Sequence, residues 1–175
     1  MKKNSKTVKT VVSIIAGVIA FFITYMGVTE ITNKEANTKK YSSNGFNITL
    51  PDNFYEKDLA SVTTYLESEK VIVTALKEEF SILGTAGISE DSSLDDYAEA
   101  VAKNNNLTID LKEINNTDYK YFTYERTNSG KTFYYMGVVL KSNDSFWLVN
   151  FACEKKNKDE YHDKFINWAK TIKVD

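Results

Sequence analysis

Few residues of this chain have a type and a setting suited to catalysis. The chain contains one histidine, His162, and one cysteine, Cys153. A Ser-His-Asp arrangement would have to use His162, yet the sequence has no Gly-x-Ser-x-Gly turn to carry a serine nucleophile. A single cysteine also excludes an intramolecular disulfide and a cysteine-based zinc site. We therefore expect no catalytic residue, no cofactor and a protein that is not an enzyme.

Acidic residues gather just before and within a predicted helix, where they could suggest a calcium site. Their spacing is not that of an EF-hand loop. Acidic residues in the first turn of a helix are expected from the helix dipole alone. We therefore predict no metal site. The residues concerned are Glu90, Asp91, Asp95 and Asp96.

Two further patterns have simple structural interpretations. Residues 84–87 read GTAG, but a phosphate-binding loop needs the full fingerprint followed by Lys and then Ser or Thr. We interpret this stretch as a connecting segment. Glu78 and Glu79 are adjacent, and on a strand their side chains would face opposite sides of the sheet. They are therefore not expected to act as a catalytic pair.

Aromatic residues crowd the last third of the chain, and their role is the question that the sequence leaves open. Core packing explains most of these rings. A buried tyrosine hydroxyl nevertheless requires a polar partner, so an aromatic sheet face could also bind a ligand. The ligand-face candidates on this hypothesis are Tyr119, Tyr124 and Tyr135.

Alternating apolar residues predict the strands that carry these rings. Within the strand predicted over residues 132–141, Tyr135 and Val139 face one way, whereas Tyr134 and Met136 face the other. Apolar side chains on both faces require a covering layer on each side. The complete set of predicted strands covers residues 45–50, 62–67, 71–76, 107–114, 119–127, 132–141 and 146–154.

Two amphipathic helices complete the predicted elements. Ser93 and Asp96 form a capping box that begins the first helix. The second helix is predicted from about Lys158 to Ile172, with one apolar stripe and His162 at its edge. We therefore predict an α+β fold, in which all strands form one antiparallel sheet of about six or seven strands. The two helices would flank this sheet as an α/β/α sandwich.

The segment Val11–Val28 contains no charged residue and no proline. A helix of this length covers most of a hydrocarbon layer about 30 Å thick. Four lysines precede the segment, and its apolar run is longer than that of a usual signal peptide. We predict an uncleaved transmembrane signal-anchor, with the N-terminus cytoplasmic and the domain extracytoplasmic. Secretion after signal cleavage is the alternative.

These patterns divide the chain into four parts. Residues 1–10 form a basic head, 11–28 the span, 29–44 a polar linker and 45–175 the extracytoplasmic domain. Four lysines and one glutamate precede Thr32, so the totals of 22 basic and 24 acidic residues leave 18 and 23 beyond it. This acidic domain argues against nucleic acid as a partner.

Three stretches carry a resemblance to a known family. Asn44–Pro51 reads NGFNITLP and resembles the G-F-x-I-x-L-P opening of PsbP-like domains. Ser93–Ala98 resembles the mid-chain helix of that family, and Thr171–Val174 looks like its terminal segment. The resemblance covers roughly Tyr41 to Asp175.

The chain is thus similar to the PsbP-like superfamily, and more narrowly to membrane-anchored bacterial members such as the DcrB-like envelope proteins. The superfamily includes PsbP itself and a Ran-binding nuclear protein. The resemblance implies an α/β/α sandwich. It implies no site residues, because the members mostly lack a common catalytic site.

The predicted function is that of a membrane-anchored, extracytoplasmic, non-enzymatic binding or accessory domain. Its contacts would be the membrane, through Val11–Val28, and a protein partner at the cell surface. The alternative is a binder of a small molecule or peptide through the aromatic-lined sheet face. A hydrolase is the function that the sequence supports least.

Overall fold

The computed structural model describes residues 37–175, which form two antiparallel sheets and three α-helices. The strands are β1 (Thr38–Ser43), β2 (Phe46–Pro51), β3 (Tyr55–Lys57), β4 (Thr64–Glu67), β5 (Val71–Glu79), β6 (Lys112–Glu113), β7 (Lys120–Asn128), β8 (Lys131–Lys141), β9 (Ser145–Glu154) and β10 (Lys173–Val174). The helices are α1 (Phe80–Leu83), α2 (Leu94–Asn104) and α3 (Lys158–Ala169), with 3-10 turns at Gly84–Ala86 and Lys155–Asn157. The predicted span Val11–Val28 lies outside the described residues.

The main sheet has seven strands in the order β3-β4-β5-β9-β8-β7-β6. All neighbouring strands are antiparallel, and the longest ones occupy the middle. The short strands β3 and β6 form the two edges, and their side chains are exposed. The predicted mixed α+β fold, with an antiparallel sheet of this size, is confirmed.

The prediction that all strands share one sheet is wrong, because β2 belongs to a separate sheet of three strands in the order β1-β2-β10. Phe46, Ile48 and Leu50 of β2 are buried against the main sheet. The ring of Phe46 stacks on that of Trp147 with centroids 6.1 Å apart. A strand with one apolar face needs a covering layer on that face only, so β2 packs across the main sheet instead of joining it.

The folded region begins inside the predicted linker over residues 29–44, because β1 starts at Thr38. Strand β1 pairs with β2 along its whole length. Its Tyr41 is buried, and the hydroxyl donates hydrogen bonds to the carbonyl oxygens of Phe54, at 2.9 Å, and Pro51, at 3.1 Å. β1 is stabilised by its pairing with β2 and buries only the ring of Tyr41. Its sequence therefore lacks the apolar–polar alternation that would have predicted a strand.

The prediction of a strand over residues 107–114 is also wrong, because only Lys112 and Glu113 of this range form a strand, β6. Leu107, Ile109 and Leu111 are half-buried and pack against the main sheet, while the residues between them are exposed. An irregular segment that rests on a core can therefore show the same alternation as a strand. Alternation reports which side chains are buried and says nothing about backbone pairing.

Two hydrophobic cores lie on opposite sides of the main sheet. We call the side covered by α3 and the three-stranded sheet the α3 face, and the side covered by α2 and the segment around α1 the α2 face. Tyr134 and Met136 lie in the core of the α3 face, whereas Tyr135 and Val139 lie in that of the α2 face. The predicted alternation of β8, with covering layers on both sides, is confirmed.

Both predicted helices are present. The hydroxyl oxygen of Ser93 accepts a hydrogen bond from the Asp96 amide at 3.1 Å, and the Asp96 carboxylate accepts one from the Ser93 amide at 2.8 Å. This capping box starts α2 as predicted. α3 ends at Ala169, slightly before the predicted Ile172. None of the helices in residues 37–175 has the length and apolar character that crossing a bilayer requires.

Gly137 on β8 provides a sharp test of packing on the α2 face. A Cβ atom at this position would lie 2.8 Å from the Cζ atom of Phe122 on the neighbouring strand. Because a real Cβ contact is never that short, we expect Gly137→Ala to lower the free energy of unfolding by about 1–3 kcal/mol. Urea denaturation followed by circular dichroism measures the change.

Gly84→Ala is the matched control, since a Cβ atom there would meet nothing within 4 Å. We expect its effect to stay within about 0.5 kcal/mol. Equal unfolding free energies for the two variants would contradict the close packing of Phe122 over Gly137.

Candidate functional site

The structure brings together two of the three predicted ligand-face tyrosines. Tyr124 on β7 and Tyr135 on β8 are direct partners in register, and both are buried on the α2 face. Their rings stack with centroids 4.8 Å apart and an interplanar angle of 3°. This pair forms the aromatic part of the candidate site.

Tyr119 does not belong with the other two. It precedes β7 and packs against the core of the α3 face. Its hydroxyl donates a hydrogen bond to the carbonyl oxygen of Ile172 at 2.9 Å, which ties the start of β7 to the segment after α3. It also lines an open groove with Lys141 and Lys173. The predicted three-tyrosine face therefore reduces to Tyr124 and Tyr135.

Polar side chains surround the stacked pair. The Tyr124 hydroxyl donates a hydrogen bond to Oδ1 of Asn150 on β9, at 3.2 Å. Asn150 is the register partner of Thr74 on β5. Arg126 lies two residues beyond Tyr124, on the same side of β7. We call these five residues, Thr74, Tyr124, Arg126, Tyr135 and Asn150, the polar cluster.

Four atoms of the polar cluster are buried and have no hydrogen-bond partner within residues 37–175: Thr74 Oγ1, Arg126 Nε, Tyr135 Oη and Asn150 Nδ2. The side chains of Thr74, Tyr135 and Asn150 are almost fully enclosed, with 1%, 1% and 3% exposed. A buried polar group without a partner costs about 1–3 kcal/mol. Their concentration on one sheet face marks this place as chemically distinct from the core around it.

The hydroxyl groups of the cluster stay protonated near neutral pH. Burial raises the pKa of Tyr135 to about 12, although Arg126 opposes the shift. Burial also raises the pKa of Tyr124 well above its ordinary value of 10.0. Both hydroxyls are therefore available as hydrogen-bond donors. The amide of Asn150 and the Nε–H group of Arg126 are donors too, so the cluster is rich in donors.

Thr74, Arg126 and Asn150 were not among the site residues predicted from the sequence. A signal for two of them was present: Thr74 interrupts the apolar run of β5, and Asn150 interrupts that of β9. A polar residue inside a strand buried on both faces must either find a partner or serve a purpose. Nothing local indicated that the two interruptions would lie side by side.

The histidine and the cysteine, the residues with the greatest catalytic potential, both have structural roles. His162 lies on α3 and is half-buried, and its Nδ1 atom shares a hydrogen bond of 2.6 Å with the hydroxyl of Tyr134. Cys153 is a free, buried thiol next to Tyr134 in register. Burial raises the pKa of the Cys153 thiol to about 12, which keeps it protonated and unreactive at neutral pH.

Acidic residues are likewise engaged. The predicted opposite facing of Glu78 and Glu79 is confirmed, since Glu78 is buried and Glu79 is exposed. Glu78 accepts a hydrogen bond from the hydroxyl of Tyr97 on α2. In the first turn of α2, Asp95 pairs with Lys120. Within residues 37–175, no three acidic, histidine or cysteine side chains are grouped so that they could hold a metal ion.

Comparison with known proteins shows the fold and no closer relationship. No protein-family model matches the sequence, and no curated protein matches it either. A solved structure from Bacteroides thetaiotaomicron matches 78% of this chain at 14% identity, with a TM-score of 0.51. This chain spans about half of that protein, 48% of its length.

Two other solved structures are also similar. The Ran-binding protein Mog1p of Saccharomyces cerevisiae has a TM-score of 0.52 and 7% identity, with 80% of this chain and 96% of Mog1p covered. Cyanobacterial PsbP (CyanoP) from Synechocystis has a TM-score of 0.40 and 13% identity, with 86% and 99% covered. At such identities the likeness concerns the fold alone. The likeness to Mog1p is consistent with the mixed α+β fold predicted from the sequence.

Glu78 generates a prediction about pH. Burial raises its pKa above the ordinary value of 4.5, and the hydrogen bond from Tyr97 lowers it only in part. Below pH 4.5 the carboxyl is protonated in the folded and unfolded states, so its contribution to stability is fully present. As the pH rises toward the folded-state pKa, the unfolded chain releases this proton first, and stability is lost.

We therefore expect Glu78→Gln to raise the melting temperature at pH 7 by about 2–4 °C, because glutamine still accepts the Tyr97 hydrogen bond without burying a charge. The gain should shrink as the pH falls toward 4.5. Thermal unfolding followed by circular dichroism at several pH values measures this. Glu79→Gln, at an exposed position, is the control, and a pH-independent gain would contradict the assignment.

Proposed function

We propose that this protein is a non-enzymatic binding or accessory domain, held at the outer face of the cell membrane by Val11–Val28. The segment's apolar sequence and the lysines before it support the anchor. The domain buries both of its cores within residues 37–175. A domain complete in itself needs such a segment for placement and not for folding.

A binding role is favoured over catalysis by how the reactive side chains are used. The ring of His162 is held by Tyr134, and the thiol of Cys153 is buried and protonated. Neither lies in the polar cluster on the opposite face. The structurally similar Mog1p is a Ran-binding protein, so this fold is able to serve a binding function. At 7% identity, the partner of Mog1p is not inferred for this chain.

The partner of the first candidate function is another protein at the cell surface. The second candidate function is recognition of a small molecule by the α2 face. The observation that carries it is the polar cluster: four buried polar atoms without partners in residues 37–175, beside the stacked rings of Tyr124 and Tyr135. The second candidate is compatible with the anchor, because the segment and the sheet face are separate parts of the chain.

The anchor is tested by cell fractionation combined with N-terminal sequencing. We expect the full-length chain in the membrane fraction, released by detergent and not by high salt. Protease added outside the cell should digest the domain. Recovery of a soluble chain that begins beyond Val28 would contradict the anchor and favour the secreted form.

Ile19→Lys adds a charge near the middle of the apolar segment. Such a charge costs about 2.5–3.5 kcal/mol in a spanning helix, so we expect a clear loss of the protein from the membrane fraction. Asn167→Lys adds the same charge at an exposed position of α3 and is the matched control. Equal membrane fractions for both variants would contradict a spanning role for Val11–Val28.

A further inference from the structure

We propose that the polar cluster binds the carboxylate group of a small organic acid. This inference rests on the proposed binding function and names the class of ligand for the α2 face. It follows from three properties of the cluster: the hydrogen-bonding type of its unpaired atoms, its charge and its surroundings.

The unpaired atoms are all able to donate a hydrogen bond. The amide oxygen of Asn150 accepts a hydrogen bond from Tyr124, and its Nδ2–H group has no partner within residues 37–175. One guanidinium nitrogen of Arg126, Nη2, donates to the carbonyl oxygen of Asn105 at 2.6 Å, which leaves Nε–H. The hydroxyls of Thr74 and Tyr135 complete the set. A ligand that satisfies them must supply acceptor oxygens.

The charge of the cluster favours an anion with a single negative charge. Arg126 is the one arginine of the chain, and its charge influences the hydroxyls of both Tyr124 and Tyr135. The nearest carboxylate along the same register is Glu154, which lies beyond Phe133. Glu154 is already paired with two lysines, Lys131 at 3.3 Å and Lys156 at 2.8 Å. Within residues 37–175 the Arg126 guanidinium has no ion-pair partner, and its single positive charge matches a carboxylate better than a doubly charged phosphate group.

The surroundings favour an apolar body for the ligand. Ile72 and Ala152 belong to the same core as the stacked tyrosine rings, and Ala152 is the register partner of both Ile72 and Tyr135. Aromatic and aliphatic walls with a few placed polar groups are typical of small-molecule sites. A small organic acid with an aromatic or aliphatic body therefore fits both parts of the site.

A route to the site is provided by the segment after α2. Leu107, Ile109 and Leu111 are half-buried and pack on the core of the α2 face, and no strand within residues 37–175 pairs with residues 107–111. Arg126 joins the start of this segment to the cluster through the carbonyl oxygen of Asn105. Displacement of the segment breaks side-chain contacts and leaves the main sheet's ladder intact.

The test uses the full-length chain in a nonionic detergent, with benzoate as the probe. Benzamide, which has the same shape without the charge, and phenyl phosphate, which carries more charge, are the comparison probes. We expect benzoate to bind more tightly than either, by about tenfold, since hydrogen bonds to a charged group are the stronger ones. Isothermal titration calorimetry measures the affinities, and NMR chemical shifts locate the bound probe.

Tyr135→Phe removes the unpaired hydroxyl and keeps the ring stack, so the variant should fold. We expect it to weaken benzoate binding about tenfold or more. Thr74→Val, which replaces the hydroxyl by a methyl group of similar size, should weaken binding in the same direction. Tyr134→Phe is the matched control, because it removes a hydroxyl from the next residue on the opposite face; it should leave the affinity unchanged.

Three results would overturn the proposal. One is the absence of benzoate binding. The second is equal affinity for benzoate and benzamide. The third is equal loss of affinity in the Tyr135→Phe and Tyr134→Phe variants. None of these results changes the outcome of cell fractionation, so failure of this inference is distinguishable from failure of the anchor.

Discussion

Burial of the central strands on both faces is the constraint on which the rest of the structure depends. β8 and β9 carry buried side chains at almost every position, so each side of the main sheet must be covered by other elements. α3 and the three-stranded sheet cover one side, and α2 with the segment around α1 covers the other. Rings then pack in close pairs across the layers, as Tyr97 of α2 does on Phe146 of β9, with centroids 4.6 Å apart.

The same constraint gives unusual weight to each polar side chain on a central strand. Water does not reach these positions, so a polar group there must find a partner in the protein or remain costly. Glu78 finds Tyr97, and Tyr134 finds His162. The polar cluster retains four unpaired atoms on a single face within residues 37–175. This contrast, inside one sheet, is the physical basis for considering the α2 face a binding site.

Fold and function are separable in this protein. The likeness to Mog1p and to the Bacteroides thetaiotaomicron protein, at 7% and 14% identity, describes how layers and strands are arranged. Function depends on the side chains placed on that arrangement. The proposed anchor concerns where the domain is held, whereas the polar cluster concerns what its sheet face recognises. The two proposals use different residues, so each can be judged without the other.

Local patterns in the sequence were sufficient for the elements whose signals lie within a few residues. They predicted the long strands β7, β8 and β9, the two faces of β8 and the capping box of α2. Tertiary structure alone decided that β2 joins a separate sheet, that β1 is a strand, and that residues 107–111 are irregular. It also decided that Tyr119 lies apart from Tyr124 and Tyr135, and that Asn150 meets Thr74 beside them. The physical reason is that alternation determines which face a side chain occupies, whereas register between distant strands determines its neighbours, and register is set by the burial of the whole sheet.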